Sequence, residues 1–260
     1  MSSWKIASFN VNSIRARLPI VLDWLHKNQP DVLCVQETKV QDLEFPEEEI
    51  REAGYHVVFR GEKSYNGVAI ISQSLPREVR FGLGSGRDDD ETRLIAAVID
   101  NIPVVNTYVP QGRDSESEHF QYKLQWFDRL LAFFEKNYTP EKPLLWAGDL
   151  NIAPLDIDVH DPQGLRGHVD FHPEVRNKLA KVMEWGLVDV FRQHRPEPRQ
   201  YTFWDYRVRG ALERDIGWRV DHIMATRPLA GLSCRAWIDQ EPRKAAKPSD
   251  HTPIAAEFEL

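Results

Sequence analysis

In Pro143-Leu144-Leu145-Trp146-Ala147-Gly148-Asp149-Leu150-Asn151, an apolar run typical of a buried strand leads directly into a carboxylate and an amide. The last residues repeat this pattern at Pro248-Ser249-Asp250-His251. Strands of an α/β scaffold that end in such groups hold them rigidly at one rim of a sheet. We therefore expect the chemistry at that rim.

Four further strand-like runs end in groups of the types that bind metal ions and phosphates. They lead to Asn10 and Asn12, to Gln36 and Glu37, to Tyr108 and Gln111, and to Asp221. Any one of these has a plain structural explanation, because polar residues usually end strands and begin turns. Six such ends in one chain favour a shared site.

Length and charge limit the class of protein. The 260 residues contain no Gly/Ser-rich or Pro-rich linker, so we expect a single catalytic domain over residues 1–260. The formal charge of −7 excludes a generally basic nucleic-acid coat protein. It does not exclude a metal-dependent phosphodiesterase, which needs carboxylates for its cation and only a local basic stripe.

Two cysteines, Cys34 and Cys234, cannot form a disulfide framework, and Cys34 lies within an apolar run. The residues after Met1 lack the basic flank and apolar core of a signal peptide, and no run has the length of a membrane span. We expect a soluble, cytoplasmic protein that works without a membrane.

Periodicity predicts alternating helices and strands. Apolar residues recur at helical spacing over residues 18–25, 120–134 and 175–185. Strand-like runs at 67–71, 94–99 and 104–105 follow one another with short turns, which predicts antiparallel pairing among them and a mixed sheet. A last strand is expected over residues 252–258, and the acidic run 88–91 is expected to be a solvated loop.

The strand-end groups suit phosphodiester hydrolysis. This reaction requires a neutralised phosphate, a positioned water and a stabilised leaving oxygen. Glu37 and Asp149 offer hard oxygen ligands that suit magnesium, with Asn10 and Asn151 as neutral ligands or donors. His251 could contact the phosphate, with its ring oriented by Asp221. A Ser-His-Asp hydrolase is less convincing, because a nucleophile-elbow sequence is missing.

These residues lie in strings that closely resemble the exonuclease III family of apurinic/apyrimidinic endonucleases. The matches occur in family order over nearly the whole chain, which is far more specific than a lone motif. They are Phe9-Asn10-Val11-Asn12, Gln36-Glu37-Thr38-Lys39, Tyr65-Asn66-Gly67-Val68-Ala69, Val109-Pro110-Gln111-Gly112, Gly148-Asp149-Leu150-Asn151-Ile152-Ala153-Pro154, Tyr201-Thr202-Phe203-Trp204-Asp205-Tyr206-Arg207, Gly217-Trp218-Arg219-Val220-Asp221 and Ser249-Asp250-His251.

The resemblance implies an α/β fold, a four-layer sandwich of two packed mixed β-sheets flanked by helices, as in other DNase I-like proteins. It also implies a DNA-repair enzyme that incises double-stranded DNA on the 5′ side of abasic sites. The family's 3′-phosphodiesterase, 3′-phosphatase and 3′-to-5′ exonuclease activities are expected beside this one. The substrate is then double-stranded DNA with abasic sites or 3′-blocked ends, and the enzyme is expected to be a monomer.

The resemblance also implies roles for the site residues. The catalytic positions are Tyr108, Asp149, Asn151, Asp221 and His251. Metal positions are Asn10, Glu37, Asp149, Asn151, Asp250 and His251, with Mg²⁺ as the expected cofactor and Mn²⁺ as a plausible substitute. The number of metal ions, one or two, and the final acceptor of the water's proton stay open.

Positions that contact DNA or substrate are similarly implied. Phe203, Trp218 and Val220 match a pocket for the flipped, base-less sugar, which is inexpensive to extrude because little stacking is lost. Trp204 belongs to an aromatic and basic stretch, and DNA contacts are expected at Tyr65, Arg93, Lys123 and Arg207. The structural alternatives are core packing for the pocket residues, ordinary solvated charges for Lys123 and Arg207, and a turn aromatic for Tyr65.

Two features depart from the family pattern. His222 follows Asp221 where a hydrophobic or aromatic residue is common, and strand alternation points it away from Asp221, so a structural or solvent-facing role is expected. In the loop 164–172, a bulky residue can hinder the abasic pocket, and His168 is the candidate. Our hypothesis is that His168 shifts preference toward 3′-end processing. Zinc is disfavoured for His160, His168 and His172 by their spacing.

Rival functions are also considered. One is a 3′-end-processing exonuclease and phosphatase with weak abasic-site activity, and another is a non-catalytic nucleic-acid-binding relative. Lipid phosphatases of the wider superfamily are disfavoured by the Phe203 and Trp218 strings and by the lack of a membrane-binding stretch. A secreted DNase would be expected to carry disulfides.

Overall fold

The computed structural model describes residues 3–84 and 92–260, and the expected acidic loop at 88–91 lies outside these residues. Within the described part, strands form two mixed sheets of six. The first sheet has, in spatial order, β11 (Ser233–Ile238), β12 (Ile254–Glu259), β1 (Ser3–Asn10), β2 (Val32–Gln36), β4 (Val68–Ser72) and β3 (His56–Arg60). The second has β5 (Arg77–Phe81), β6 (Leu94–Ile99), β7 (Ile102–Tyr108), β8 (Leu145–Asp149), β10 (Asp221–Thr226) and β9 (Leu187–Asp189).

Helices cover the outer faces of the sheets. The longer ones are α1 (Ile14–Asn28), α3 (Glu118–Asn137) and α4 (Pro173–Glu184), which confirm the three periodic segments. Shorter helices are α2 (Glu47–Glu52), α5 (Val190–His194), α6 (Arg227–Ala230) and α7 (Glu241–Lys244). One apolar cluster packs α1 on the first sheet, and another packs α3 and α4 on the second. The expected four-layer α/β sandwich is confirmed.

One expectation on strand pairing is wrong. The adjacent strands β6 and β7 pair antiparallel as expected, but β4 pairs with β2 and β3 in the other sheet. Alternating hydrophobicity indicates which face of a strand is buried, and it does not indicate which of two sheets the strand joins. The chain passes from the first sheet to the second between β4 and β5, and β5 pairs with β6 in the second sheet.

The central core between the sheets ends at the site. On β8, Leu145 and Ala147 belong to this core, and Asp149 follows on the same face. On β1, Ile6 belongs to the core, and Asn10 ends the strand on that face. Because both strands end at the same end of the sandwich, their polar termini meet there. None of the helices in the described residues is long and apolar enough to cross a membrane.

Candidate active site

Three neighbouring strands of the second sheet supply one row of polar side chains. Tyr108 ends β7, Asp149 ends β8 and Asp221 begins β10. Strand register places Asp149 directly opposite Tyr108 on one side and Asp221 on the other. The row therefore follows from hydrogen-bonded strand pairing, which fixes the spacing of its members.

The first sheet contributes the opposing groups. The Asn10 Nδ2 amide donates to Glu37 Oε1 at 2.8 Å and to Asp149 Oδ2 at 2.7 Å, so it joins carboxylates from both sheets. His251 lies just before β12, and its Nδ1 is 2.8 Å from Asp221 Oδ2. Its Nε2 is 3.8 Å from Asp149 Oδ2.

A second set of polar groups lies around Glu37; the sequence placed Asn12 among the strand-end groups without a specific role and indicated none for Lys39. The Lys39 ammonium lies 2.6 Å from Glu37 Oε2 and donates to Asn12 Oδ1 at 2.6 Å. The Asn12 amide in turn donates to Asp250 Oδ1 at 3.0 Å. Asp250 thus joins the site through Asn12. Asn12 and Lys39 end two of the matched strings, and this position is the signal that could have found them.

The backbone is strained where it presents the site residues. Glu37 has φ 51° and Asn151 has φ 48°, both in the left-handed region. This conformation is common for asparagine and uncommon for glutamate, so at Glu37 it marks a position that the surrounding structure must enforce. Gly148 has φ +150°, and a Cβ there would lie 2.0 Å from the Thr107 carbonyl oxygen. Only glycine allows β7 and β8 to approach this closely beside Asp149.

Electrostatics set the proton distribution in the site. Burial alone would lower the pKa of His251, but the carboxylates of Asp221 and Asp149 outweigh it and raise the pKa well above its ordinary value. Burial also raises the pKa of Asp149, and the neighbouring carboxylates of Asp221 and Glu37 add to this. Burial, with the charges of Glu37 and Asp149, raises the pKa of Tyr108 well above its ordinary value. The carboxylates thus favour the charged form of His251, and burial favours the neutral hydroxyl of Tyr108.

The donor set fits a divalent cation. Ligand atoms of Glu37, Asp149 and His251 all lie within 4.8 Å of one another. Two carboxylates this close repel each other, and a hard cation relieves that repulsion. The Asn10 oxygen accepts the Asn12 N–H at 3.0 Å, and an amide oxygen keeps a second lone pair that a cation can use. Asn10 and His251 therefore lie among the expected ligands, and their roles toward a metal ion stay predictions.

A cavity with both polar and apolar walls opens beside these groups. It has a volume of about 750 Å³, and its wall includes Phe203, Trp218 and Val220 together with Asn151 and His251. The Phe203 ring centroid lies 4.8 Å from that of His251. The three predicted pocket residues are therefore in contact with the site as well as with the core.

The loop residue His168 narrows this cavity. Its ring centroid is 4.6 Å from that of Trp218, and both residues line the same wall. The His168 side chain is 42 % exposed, and its Nδ1 accepts the Asp170 N–H at 3.2 Å. His168 therefore lines the predicted sugar pocket beside Trp218.

Two expected DNA contacts are contradicted. Lys123 has no exposed surface, and its ammonium donates to the Asn151 carbonyl at 2.6 Å and to Asp170 Oδ1 at 2.8 Å. It also contacts the carbonyls of Gln111 and Val169, so it ties together three loops around the site. Trp204 is 1 % exposed and packs within the loop that follows β9 and α5. Lys123 lies on α3 three residues after the buried Phe120, so helical spacing places it on the buried face. Trp204 lies in a loop, where no periodic pattern separates inward from outward side chains.

The other expected DNA contacts lie at the surface. Tyr65 is 69 % exposed. Arg207 lines the cavity rim, and its guanidinium pairs with Asp205 at 2.7 Å. The Arg93 guanidinium stacks over the Tyr108 ring at 5.0 Å from the centroid. Arg93 thus supports a site residue, whereas Tyr65 and Arg207 are available to a bound polymer.

A buried ion network lies behind the cavity, and sequence reasoning missed it. Arg219, with no exposed surface, contacts Asp158 Oδ1 at 2.7 Å and Asp189 Oδ2 at 2.7 Å. His222 Nδ1 accepts from the Arg219 guanidinium at 3.0 Å, and its Nε2 donates to the Ile152 carbonyl at 2.8 Å. His222 points away from Asp221 and is fully buried, so its role is structural, as one of the two expected roles had it.

Comparison with known proteins agrees with this geometry. Residues 7–251 match the model of the Endonuclease/Exonuclease/phosphatase family. Exodeoxyribonuclease III of Haemophilus influenzae is 35 % identical over 266 residues, covering 98 % of this chain and 99 % of the relative. An AP endonuclease structure from Archaeoglobus fulgidus is 52 % identical, with a TM-score of 0.97 over 99 % of this chain and all of that one.

A further solved structure contains nucleic acid. The 3′ phosphatase NExo from Neisseria, bound to a product DNA hairpin, is 38 % identical with a TM-score of 0.94 over 99 % of this chain and 100 % of that one. The matched residues run from β1 to His251 and so include the whole site. From this coverage, the chain belongs to the Endonuclease/Exonuclease/phosphatase family, within the group of exodeoxyribonuclease III and AP endonucleases.

Proposed function

We propose that this chain is a metal-dependent phosphodiesterase of DNA repair. It cleaves double-stranded DNA on the 5′ side of abasic sites, and it removes 3′ blocks and 3′-terminal nucleotides. The single observation that supports this most strongly is the meeting of Asp149 and Asp221 from one sheet with Glu37 and His251 from the other, beside a cavity that has an apolar wall of Phe203, Trp218 and Val220. The DNA-acting relatives named above support the choice of polymer.

Each side chain has a role in this reaction. Glu37 and Asp149 would hold Mg²⁺, or Mn²⁺ as a substitute, with Asn151 and Asp250 beside them. The bound cation would neutralise charge on the phosphate. Asp149 orients the attacking water, because its two oxygens are fixed by the Asn10 amide and the Asn151 N–H. The His251 ring N–H donates a hydrogen bond to a phosphate oxygen, and the Asp221 carboxylate stabilises the charged ring.

The remaining groups select and stabilise the substrate. The neutral Tyr108 hydroxyl donates to the phosphate or the leaving oxygen. The cavity lined by Phe203, Trp218 and Val220 receives the sugar of an abasic nucleotide. A base-less sugar is easier to extrude than an intact nucleotide, because it has little stacking to lose.

A duplex oligonucleotide with one abasic site tests this function. We expect Mg²⁺-dependent incision on its 5′ side, abolished by EDTA and lowered on the order of 10²–10⁴-fold by Asp149→Asn. Asp156→Asn, an exposed carboxylate on a nearby loop, is the matched control and should leave the rate unchanged. Inactivity of the wild type on every DNA substrate would favour a non-catalytic nucleic-acid-binding relative. Hydrolysis of a phosphoinositide in its place would favour a lipid phosphatase.

A second candidate function is favoured by the position of His168. Its ring at 4.6 Å from Trp218 fills part of the space that the flipped sugar would need. A terminal 3′-phosphate needs less of that space than an internal abasic nucleotide. His168 thus supports an enzyme whose dominant activity is 3′-end processing, with weaker cleavage at abasic sites.

The ratio of two rates distinguishes these candidates. His168→Gly should raise abasic-site incision relative to 3′-phosphate release at fixed salt and Mg²⁺. His168→Phe keeps a ring in the same place and should retain the wild-type ratio. Equal ratios for all three proteins would remove His168 as a determinant of substrate choice.

A further inference from the structure

A polar bridge joins the two sheets inside their apolar interface. Asn106 on β7 is fully buried, and its Nδ2 donates to the carbonyls of Val35 at 2.9 Å and Ala69 at 2.8 Å, on β2 and β4 of the other sheet. Its Oδ1 accepts from Gln36 Nε2 at 2.7 Å. The same Gln36 nitrogen donates to Ser8 Oγ on β1 at 3.0 Å. One buried amide is therefore hydrogen-bonded to two strands of the opposing sheet and to a side chain there.

The bridge lies one layer of side chains below the candidate active site. Asn106 is two residues before Tyr108 on one face of β7, and Ser8 is two residues before Asn10 on β1. Gln36 directly precedes Glu37. Each side chain of the bridge thus belongs to a residue that is one or two positions before a site residue in the chain.

The apolar interface alone does not fix the sheets as closely. Contacts such as those of Val104 and Cys34 in the central core are non-directional, and they tolerate small shifts of one sheet over the other. Hydrogen bonds weaken steeply with distance and angle, so the bridge specifies the separation and register of β7 against β2 and β4. An apolar side chain would fill the same space without this restriction.

The separation of the sheets matters at the site, because its two carboxylates come from different sheets. Glu37 follows β2 of the first sheet, whereas Asp149 ends β8 of the second, next to β7. We infer that Asn106 is a positioning residue, which sets the distance between Glu37 and the Tyr108–Asp149 row and thereby the affinity for the divalent cation. This inference rests on the proposed function, and it concerns the same site.

Asn106→Leu tests the inference, because it removes all three hydrogen bonds of Asn106 and keeps a side chain branched at Cγ. We expect kcat to fall about 10–100-fold, the loss that a misplacement near 1 Å produces, while KM for DNA stays within about twofold. Isothermal titration with Mg²⁺ in the absence of DNA should show an affinity that is lower by ~10-fold or more. Val104→Ala, on the same strand and face but farther from the site, is the matched control.

The control separates positioning from stability. Val104→Ala leaves a cavity in the core and should lower the melting temperature, with kcat and Mg²⁺ affinity unchanged. If Asn106→Leu lowers only the melting temperature, as this control does, the inference is wrong. Gln36→Leu serves as the second variant if Asn106→Leu does not fold. It removes the two bonds that Gln36 makes to Asn106 and Ser8 but leaves those from Asn106 to the Val35 and Ala69 carbonyls, so it should shift Mg²⁺ affinity in the same direction by less. An unchanged Mg²⁺ affinity in that variant would likewise contradict the inference.

The failure of the proposed function would look different. In that case the wild type would cleave none of the DNA substrates. The Mg²⁺ titrations, which are made without DNA, would still distinguish Asn106→Leu from Val104→Ala.

Discussion

Asp221 and His251 are hydrogen-bonded at 2.8 Å, although Asp221 begins a strand of one sheet and His251 precedes a strand of the other. Thirty residues separate them in the chain. The contact exists because β10 and β12 present their ends at the same end of the sandwich. It converts a histidine that burial alone would keep neutral into a cation beside Asp149.

Asp221→Asn should lower kcat by about 10²-fold or more, because the neutral amide no longer stabilises the imidazolium. Since Asn can still accept a hydrogen bond from His251, KM for DNA should change little. Steady-state rates on an abasic-site duplex measure this effect. Asp215→Asn removes an exposed carboxylate paired with Arg199 and should have no effect. Equal kcat values for the two variants would contradict the assigned role.

Removal of a carboxylate from the cation site should raise the metal requirement. For Glu37→Gln we expect half-saturating Mg²⁺ to rise by more than ~10-fold, the loss typical even for groups that only support a ligand. EDTA should abolish the wild-type activity, and added Mg²⁺ should restore it. Glu48→Gln, on the exposed face of α2, provides the control. A Mg²⁺ dependence identical to that of the wild type would remove Glu37 from the ligand set.

Lys123→Met should act through stability. The buried ammonium pairs with Asp170 and with three loop carbonyls, so its loss leaves an uncompensated buried carboxylate. Breaking such a pair costs about 3–5 kcal/mol in the free energy of unfolding. Urea titration measures this loss. Lys178→Met, which removes a partly exposed lysine paired with Asp128, should cost about 1 kcal/mol or less.

Arg207→Ala should act through DNA binding. The side chain is 89 % exposed at the cavity rim, so its loss should leave the melting temperature unchanged. The logarithm of the DNA-binding constant falls as the logarithm of the salt concentration rises, and the magnitude of this slope should decrease by up to ~1 in the variant. The decrease should be smaller where Asp205 competes for the guanidinium. Binding to undamaged duplex over a series of salt concentrations gives the slope. If the slope does not change, Arg207 is an ordinary solvated charge, which is the alternative given for it in the sequence analysis.

The Arg219 network should make the fold sensitive to acid. Burial alone would raise the pKa of Asp158, but the charges and hydrogen bonds of Arg219 and Arg192 outweigh it and lower the pKa. The same balance, with Arg219 as the main cation, lowers the pKa of Asp189. A depressed folded-state pKa contributes stability above the unfolded value near 4, and this stability is lost as the pH falls below it.

Asp158→Asn measures this contribution. At pH 7 we expect a loss of about 3–5 kcal/mol in the free energy of unfolding, because the variant leaves buried guanidinium charge unpaired. The difference from the wild type should shrink as the pH is lowered from 5 toward 2. Asp156→Asn, 66 % exposed and paired with Arg176, should show neither effect. A difference that is constant with pH would contradict the assigned protonation.

Local sequence patterns were sufficient for much of the fold and for the membership of the site. The apolar strand that ends in Asp149 and the helical periodicity of α3 depend on neighbours two to four residues away, which sequence shows directly. The partition of β4 and β6 between sheets was not available, because alternation carries no information on the partner strand.

The burial of individual charged side chains was also not predicted from the sequence. Lys123 and Arg207 have similar charge and were expected to play similar roles, yet one is fully buried and the other is 89 % exposed. The difference arises because loop carbonyls and Asp170 converge on Lys123 only after the chain has folded. Long-range partners of this kind decide whether a charged group is a structural tie or a ligand contact.

By itself, the sequence determined that acidic, amide and imidazole groups follow buried strands, and it thereby determined the family and the class of chemistry. Tertiary structure alone decided which atoms meet: Asn10 donates to carboxylates of both sheets, and Asn106 joins the sheets below them. The physical reason is the separation in the chain of the residues that interact. Strand and helix patterns arise from neighbouring residues, whereas a site between two sheets depends on contacts between residues far apart in the chain.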